Sequence, residues 1–163
     1  METIGWLAAA VVGSVTYVLR KTLQVALDGA LYQVWTTPPP LEPRIIMSSP
    51  LLEMQWALIR WWHYLSPVEW VTLVILGAAM GVLLRARCCE TVSQVLRSGW
   101  LIPVCAFLLL WVDYHPAMLL DRRIALGGFV LLLVLVFALN LVWAGLLEKT
   151  IRFLDRRIPE WLA

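Results

Sequence analysis

The sequence predicts an all-α integral membrane protein with about four transmembrane helices, one interfacial amphipathic helix and an amphipathic C-terminal tail. Of 163 residues, 61% are hydrophobic and 15% charged, with a mean hydropathy of +0.80, whereas soluble domains carry about a quarter charged residues. Residues 124–147 contain no charge and would form a helix about 36 Å long, enough to cross a hydrocarbon core of about 30 Å. Ten tryptophans, many at the ends of apolar runs, suit the preference of indole for the headgroup layer.

The composition also bounds the domain organisation. We expect one polytopic membrane domain over residues 1–163, because no polar stretch is long enough for a separate soluble domain. The net charge of +2 is too small and too dispersed to indicate a nucleic-acid partner. The first apolar stretch lacks a preceding basic residue, so we expect a retained anchor and not a cleaved signal peptide.

The first transmembrane helix is expected over about residues 5–27, within a helix that continues until the three prolines at 38–40. The charged pair Arg20 and Lys21 lies either at the far membrane surface or deeper, facing other helices. Polar side chains recur at spacings of three and four residues and therefore share one face. This face either lies in the interface with its charges solvated, or contacts a cavity or partner inside the membrane. It comprises Ser14, Tyr17, Lys21, Gln24, Asp28 and Tyr32.

Residues 50–65 are predicted to form the interfacial helix. Ser49 precedes Pro50, a favourable arrangement for a helix start. Four polar or aromatic residues share one face, and the segment holds a cluster of tryptophans, which is typical of a helix lying in the membrane plane. A short or tilted crossing is the alternative, although it would bury Glu53 and Arg60.

The second transmembrane helix is predicted over residues 67–85. Ser66 and Glu69 have the spacing of a capping box, with a proline at the first helical position. Gly77 and Gly81 form a small-xxx-small pattern, which allows another helix to approach closely.

Two further crossings are predicted, over residues 99–115 and 122–147, followed by a surface tail over residues 148–163. Asn140 is the one polar side chain within the apolar part of the last crossing. An amide in hydrocarbon gains about 0.6–2 kcal/mol by bonding to a neighbouring helix. We therefore expect Asn140 to face protein, as a packing contact or as part of a pore or ligand site.

Residues suited to catalysis are scarce. Asp113 and His115 could supply two ligands, but a metal site needs three or four, so we predict no metal and no cofactor. The cysteines Cys88, Cys89 and Cys105 give no disulfide framework; we expect reduced thiols, with palmitoylation of the adjacent pair as an alternative. The usual hydrolase, kinase and nucleotide-binding motifs are absent from the sequence. A membrane enzyme using Asp113 and His115 is the weakest of the hypotheses.

The function hypothesis that follows is a non-catalytic, multi-pass subunit of a larger membrane protein complex. The alternative is a homo-oligomeric channel or a small transporter. The partners expected are the lipid bilayer and either other membrane subunits or further copies of the chain, in a cytoplasmic (inner) or organellar membrane. Candidate intramembrane polar contacts are Ser14, Lys21, Gln24, Asp28 and Asn140, and candidate helix-packing residues are Gly77 and Gly81. A slight excess of Lys and Arg on the side of the termini places both termini inside.

Overall fold

Five α-helices account for nearly all of the residues that the structure describes. The structure is a computed structural model, and it describes residues 2–35, 49–88, 99–114 and 126–161. The helices are α1 (Glu2–Trp35), α2 (Pro50–Tyr64), α3 (Pro67–Cys88), α4 (Leu101–Asp113) and α5 (Leu126–Trp161). Within these ranges the chain is all-helical, as the sequence predicts.

Three of the helices, α1, α3 and α5, are long and apolar enough to cross a bilayer. The apolar helix α4 has 13 residues and is therefore about 20 Å long, less than the thickness of a hydrocarbon core. Three helices are therefore long enough for a crossing, compared with the four or so that the sequence predicts. Helix α4 is too short to cross on its own.

The starts of α2 and α3 are fixed by the side chains that the sequence indicates. Ser49 Oγ accepts a hydrogen bond from the Leu52 backbone N–H at 3.3 Å. At the next helix start, Ser66 and Glu69 cap each other: the Ser66 N–H donates to Glu69 Oε2 at 2.7 Å, and the Glu69 N–H donates to Ser66 Oγ at 3.3 Å. Each cap satisfies backbone donors that have no partner within the helix. The break between α2 and α3 lies at residues 65–66, where Leu65 has an extended backbone and Ser66 caps the next helix.

Helix α5 is longer than the crossing predicted from the sequence. Residues 148–161, predicted as part of a separate surface tail, continue α5 without a break. Neither glycine nor proline occurs from residue 146 to 158, and Glu148 and Arg152 form an ion pair across one helical turn, which favours continuation. Helix α4 is shorter than the predicted 99–115, because Gly99 and Trp100 form a turn and the backbone of Tyr114 leaves helical geometry.

Side-chain contacts fix the direction of each helix relative to α1. Helix α1 is antiparallel to α3, because Gly77 lies beside Ser14 while the later Gly81 lies beside the earlier Ala9. It is also antiparallel to α5, since Tyr17 contacts Trp143 with ring centroids 5.5 Å apart while the later Arg20 bonds to the earlier Asn140. Helices α3 and α5 therefore run parallel to each other and opposite to α1.

Helix α4 runs antiparallel to α5. Near the middle of α5, the Asn140 side chain bonds to the Ala106 carbonyl at 3.2 Å, and near its start Phe129 contacts Tyr114 with ring centroids 6.0 Å apart. Helix α2 packs on α1 where Gly29 lies against Ala57, and none of its side chains is buried.

The buried apolar side chains form two clusters along this bundle. The larger lies between α1, α3, α4 and α5 and includes Tyr17, Leu84, Trp143, Leu147 and Ile151. The smaller lies between the start of α5 and the end of α4, and consists of Tyr114, Phe129, Leu132 and Val136. A set of buried polar side chains separates the two clusters.

Candidate functional site

A buried arginine joins three helices at the boundary between the two apolar clusters. Arg20 of α1 is 1% exposed. Its Nη1 donates to Asp113 Oδ2 of α4 at 2.9 Å and to Asn140 Oδ1 of α5 at 2.5 Å. Hydrogen bonds from a charged donor are stronger than neutral ones, and burial strengthens them further. One guanidinium thus holds α1, α4 and α5 together.

The carboxylate of Asp113 serves a second cation. Lys21 Nζ donates to Asp113 Oδ1 at 2.6 Å and lies 3.4 Å from Gln24 Oε1. The Asp113 side chain is 2% exposed and that of Lys21 is 20% exposed. Both oxygens of Asp113 are therefore engaged, one by Arg20 and one by Lys21. We call Arg20, Lys21, Asp113 and Asn140 the inner network.

Asn140 completes the inner network from α5. Its side chain is fully buried, accepting from Arg20 and donating through Nδ2 to the Ala106 carbonyl at 3.2 Å. Buried positions recur along α5 every three or four residues, which is the period of a helix face packed on protein. Asn140 occupies one of these positions, so helix geometry directs its amide into the bundle.

An aromatic pair lies beside the arginine. The Arg20 guanidinium carbon is 4.5 Å from the centroid of the Tyr17 ring, and the Tyr17 ring meets Trp143 edge-on. Tyr17 and Arg20 are three residues apart on one face of α1. The ring face attracts the cation, which compensates part of the cost of removing the guanidinium from water.

The residues predicted as intramembrane polar contacts divide between two places. Lys21, Gln24 and Asn140 lie at the inner network, and Gln24 is 3% exposed. Ser14 lies elsewhere, donating to the Val74 carbonyl of α3 and to the Ala10 carbonyl of its own helix, both at 2.9 Å. Asp28 is partly buried farther along α1.

The two predicted packing glycines lie in the contact between α1 and α3. A Cβ on Gly77 would come within 2.6 Å of Ser14 Cα, and one on Gly81 would come within 2.8 Å of the Ala9 carbonyl carbon. Gly13 of α1 faces both, as a Cβ there would lie 2.9 Å from Gly81 Cα. The backbones meet so closely that no side chain fits between them.

A second group of charges, which we call the outer cluster, lies toward the ends of α3 and α5. Its members are Arg85, Arg87, Glu148, Arg152 and Asp155. Arg85 Nε bonds to Asp155 Oδ1 at 3.1 Å, and Glu148 pairs with Arg87 at 3.2 Å and with Arg152 at 2.5 Å. The Arg85 guanidinium also lies 4.3 Å from the Trp6 ring centroid of α1. The outer cluster therefore ties α1, α3 and α5 together at the far end from α2.

Sequence reasoning missed the central role of Arg20 and gave Asp113 another possible role, as a metal ligand with His115. Asp113 is instead committed to two cations, and His115 lies outside the described residues. Among the described residues, no group of three or more His, Cys, Asp and Glu side chains could hold a metal ion. Charge balance could have indicated this pairing. Arg20 and Lys21 lie within one predicted span, and buried cations require an acidic partner, which Asp113 at the end of another span provides.

The arrangement is suited to holding helices, because each contact of the inner network joins protein to protein. Asn140 has both amide atoms engaged and Asp113 both oxygens. Comparison with protein-family models, with curated proteins and with solved structures finds no match to this chain.

Proposed function

We propose that this chain is a non-catalytic, multi-pass subunit of a larger membrane protein complex, with a structural or partner-docking role. The observation that carries the proposal is the inner network, in which intramembrane charges bind one another across three helices. Charged groups in hydrocarbon are costly and persist where they are matched. Here the charged side chains fix the positions of the helices relative to one another, which is a structural role.

Four membrane crossings are part of this proposal. Helices α3 and α5 are parallel, so α3 ends on the same side of the membrane as α5. The chain must therefore return across the membrane between Cys88 and Leu126, and α4 runs in the required direction. A helix of about 20 Å can make this return where the flanking segments complete it or the bilayer thins locally. Both termini then lie on one side.

The depth of the inner network supports an intramembrane role. Asn140 is about eight residues before Glu148 of the outer cluster, which corresponds to about 12 Å along α5. It is about fourteen residues, or about 21 Å, after Leu126. If the outer cluster marks one surface of a hydrocarbon core about 30 Å thick, the inner network lies near the bilayer midplane.

Helix α2 fits the interface at the opposite end. It has no buried side chain, and its outward residues Trp56 and Trp62 are both about half exposed. The Trp62 ring also contacts Trp61 and Trp70, with centroids 5.2 Å and 5.1 Å away. A tryptophan group of this kind favours the headgroup layer, so we place α2 in the membrane plane, against α1.

The channel alternative has weaker support from the geometry. A conduit within one chain would need Ser14, Lys21 and Asn140 to face open space, yet Ser14 bonds to α3 and Asn140 is fully buried between helices. A pore between copies would have to be lined by faces that are mostly apolar. The subunit function is therefore the one that we favour, in a cytoplasmic (inner) or organellar membrane.

The proposal is tested by isolating the full chain from its native membrane in a mild detergent. Blue native electrophoresis with quantitative mass spectrometry should find it with other polypeptides in fixed stoichiometry. The chain alone, reconstituted in phosphatidylcholine liposomes, should conduct no ions.

The contrary result is a closed ring made of this chain alone that conducts ions. In that case Lys21→Ala, at the partly exposed lysine of the inner network, should change the ion flux, while the matched variant Lys149→Ala at an exposed site should not. Such an outcome would establish the channel function in place of the subunit function.

A further inference from the structure

A groove between α1 and α5 opens toward the lipid-facing surface of the bundle. It has a volume of about 270 Å³. Its rim is mainly apolar, and four aliphatic rim side chains, two from each helix, are each about 60% exposed. Helix α1 contributes Thr16, Leu19 and Leu23, and helix α5 contributes Val142, Leu146 and Thr150.

Two buried side chains with unused donors also line this groove. Arg20 uses Nη1 for its bonds within the inner network, but its Nε and Nη2 are buried without a hydrogen-bond partner among the described residues. Trp143 is 7% exposed, and its Nε1 is also buried without a hydrogen-bond partner among the described residues. A buried donor that is left unsatisfied costs about 1–3 kcal/mol, and more when it is charged. A ligand that accepts hydrogen bonds here would recover that cost.

The other polar groups of the groove do not supply the missing acceptors. The hydroxyls of Thr16 and Thr150 donate to carbonyls of their own helices, at 2.7 Å and 2.9 Å, and neither hydroxyl oxygen accepts from the unpartnered nitrogens of Arg20 and Trp143. The Asp113 carboxylate is committed to Arg20 Nη1 and Lys21. The groove therefore lacks a hydrogen-bond acceptor beside the Arg20 guanidinium, at the depth of the inner network.

Charge complementarity limits the kinds of molecule that could occupy the groove. An anion binds a guanidinium more strongly than a neutral acceptor does. Near the bilayer midplane, that anion must belong to a molecule that is otherwise apolar. Two antiparallel helices with an apolar rim present the shape that a third helix fills. A second copy of this chain meets a difficulty, because a symmetric contact would bring Arg20 against Arg20.

We propose that the groove between α1 and α5 is the docking site for a transmembrane helix of a partner protein that carries an aspartate or glutamate near mid-membrane. The partner carboxylate accepts from Arg20 Nε and Nη2, and the apolar remainder of the helix packs on the rim. This assignment rests on the proposed function, since it names the contact through which a subunit joins its complex.

The test uses the full chain, labelled with a fluorescent donor at its N-terminus, in phosphatidylcholine vesicles. The probes are acceptor-labelled transmembrane peptides of leucine and alanine that carry Asp, Asn or Leu at the central position. Energy transfer should show that the Asp peptide associates about tenfold more tightly than the Leu peptide, with the Asn peptide between them. Arg20→Lys, which keeps the charge but removes Nε and Nη2, should abolish most of this preference.

A matched pair of variants separates the groove from the rest of the surface. Val142→Trp fills the groove, whereas Val134→Trp alters a residue of α5 that is equally exposed, 59% against 60%, and lies outside it. Val142→Trp should weaken binding of the Asp peptide about tenfold, and Val134→Trp should leave it unchanged. Thermal unfolding of both variants checks that the bundle is intact.

Four outcomes would overturn the assignment. Equal association of the Asp and Leu peptides would remove the role of Arg20, and equal effects of the two tryptophan variants would place the contact elsewhere. A phospholipid retained in native mass spectrometry by the wild type and by Val134→Trp, but lost from Val142→Trp, would make a lipid the occupant. A native complex that survives Val142→Trp would preserve the proposed function while rejecting this docking site.

Discussion

The inner network and the outer cluster use the same chemistry, carboxylates bound to basic side chains, in different surroundings. The paired side chains of Arg20 and Asp113 are 0% and 2% exposed, whereas Asp155 and Arg152 of the outer cluster are 29% and 55% exposed. Water reaches Arg152 and part of Asp155, whereas little of it reaches the inner pairs; the Arg87–Glu148 pair, 14% and 11% exposed, lies between these cases. The distances alone, which overlap between the two groups, do not reveal this difference.

This contrast implies different energetic roles. A buried ion pair gains little over an apolar pair of the same shape, but removal of one member strands the other and costs about 3–5 kcal/mol. An exposed pair contributes about 0–1 kcal/mol. We therefore expect the inner network to be intolerant of single changes and the outer cluster to be tolerant of them.

The largest effect is expected from Asp113→Asn, which removes the anion shared by Arg20 and Lys21 and keeps the shape of the side chain. The free energy of unfolding should fall by about 3–5 kcal/mol, measured by titration of dodecylmaltoside micelles with SDS. The matched change Asp155→Asn in the outer cluster should cost less, because Asp155 is 29% exposed and water can replace part of its bond to Arg85. Equal losses would mean that burial does not distinguish the two regions.

The contact between α1 and α3, which connects the two regions, should respond next most strongly. Gly81→Ala places a methyl group against the backbone of Ala9 and Gly13, which cannot move aside cheaply. Overpacking of this kind should cost about 1–3 kcal/mol in the same titration. Gly145→Ala is the control, because nothing lies within 4 Å of its added Cβ, and alanine there should be neutral or slightly stabilising. A neutral Gly81→Ala would contradict the close approach of the two helices.

Asn140→Leu tests the neutral member of the inner network. Arg20 loses one acceptor but keeps Asp113, so the expected loss is about 1–2 kcal/mol. Asn140→Asp sharpens the test, because it should restore part of the stability lost in Asp113→Asn by supplying a new anion to Arg20. Additive losses in that double variant would show that Arg20 does not link the two positions.

The smallest effect is expected from Arg152→Gln in the outer cluster. The Arg152 side chain is 55% exposed, and Glu148, one turn away on α5, keeps its bond to Arg87, so the loss should be about 0.3–0.5 kcal/mol. The loss should vanish near 1 M NaCl, where the Debye length is about 3 Å. The loss from Asp113→Asn should persist at that salt concentration. Salt sensitivity in the reverse order would contradict the burial pattern of the two regions.

The sequence predicts the local features of this fold and not its long-range pairings. The capping box at Ser66 and the glycine pattern at Gly77 depend on residues close in sequence, so short-range rules suffice. Asn140 could be expected to face protein because a lone amide in an apolar helix requires a partner. Which partner it takes depends on how each helix is rotated and how far it slides, and these follow from packing of the whole bundle.

The length of α5 was also beyond sequence reasoning. A rise in polarity after residue 147 suggested the end of a crossing, and hence a separate tail. The helix continues because Glu148 pairs with Arg87 of α3 as well as with Arg152, so the polar stretch has protein to pack on. A polarity profile marks where water begins, whereas the end of a helix depends on its neighbours.

The spacing of the inner network along the chain has a consequence for biosynthesis. Arg20 precedes Asp113 by 93 positions and Asn140 by 120. At about 5–20 residues per second, roughly ten seconds pass between synthesis of the arginine and synthesis of its last acceptor. During that interval α1 carries two cations that lipid disfavours, so it must stay near the translocon or the headgroups. Helix α1 therefore reaches its final position late, after the C-terminal half of the polypeptide has been inserted.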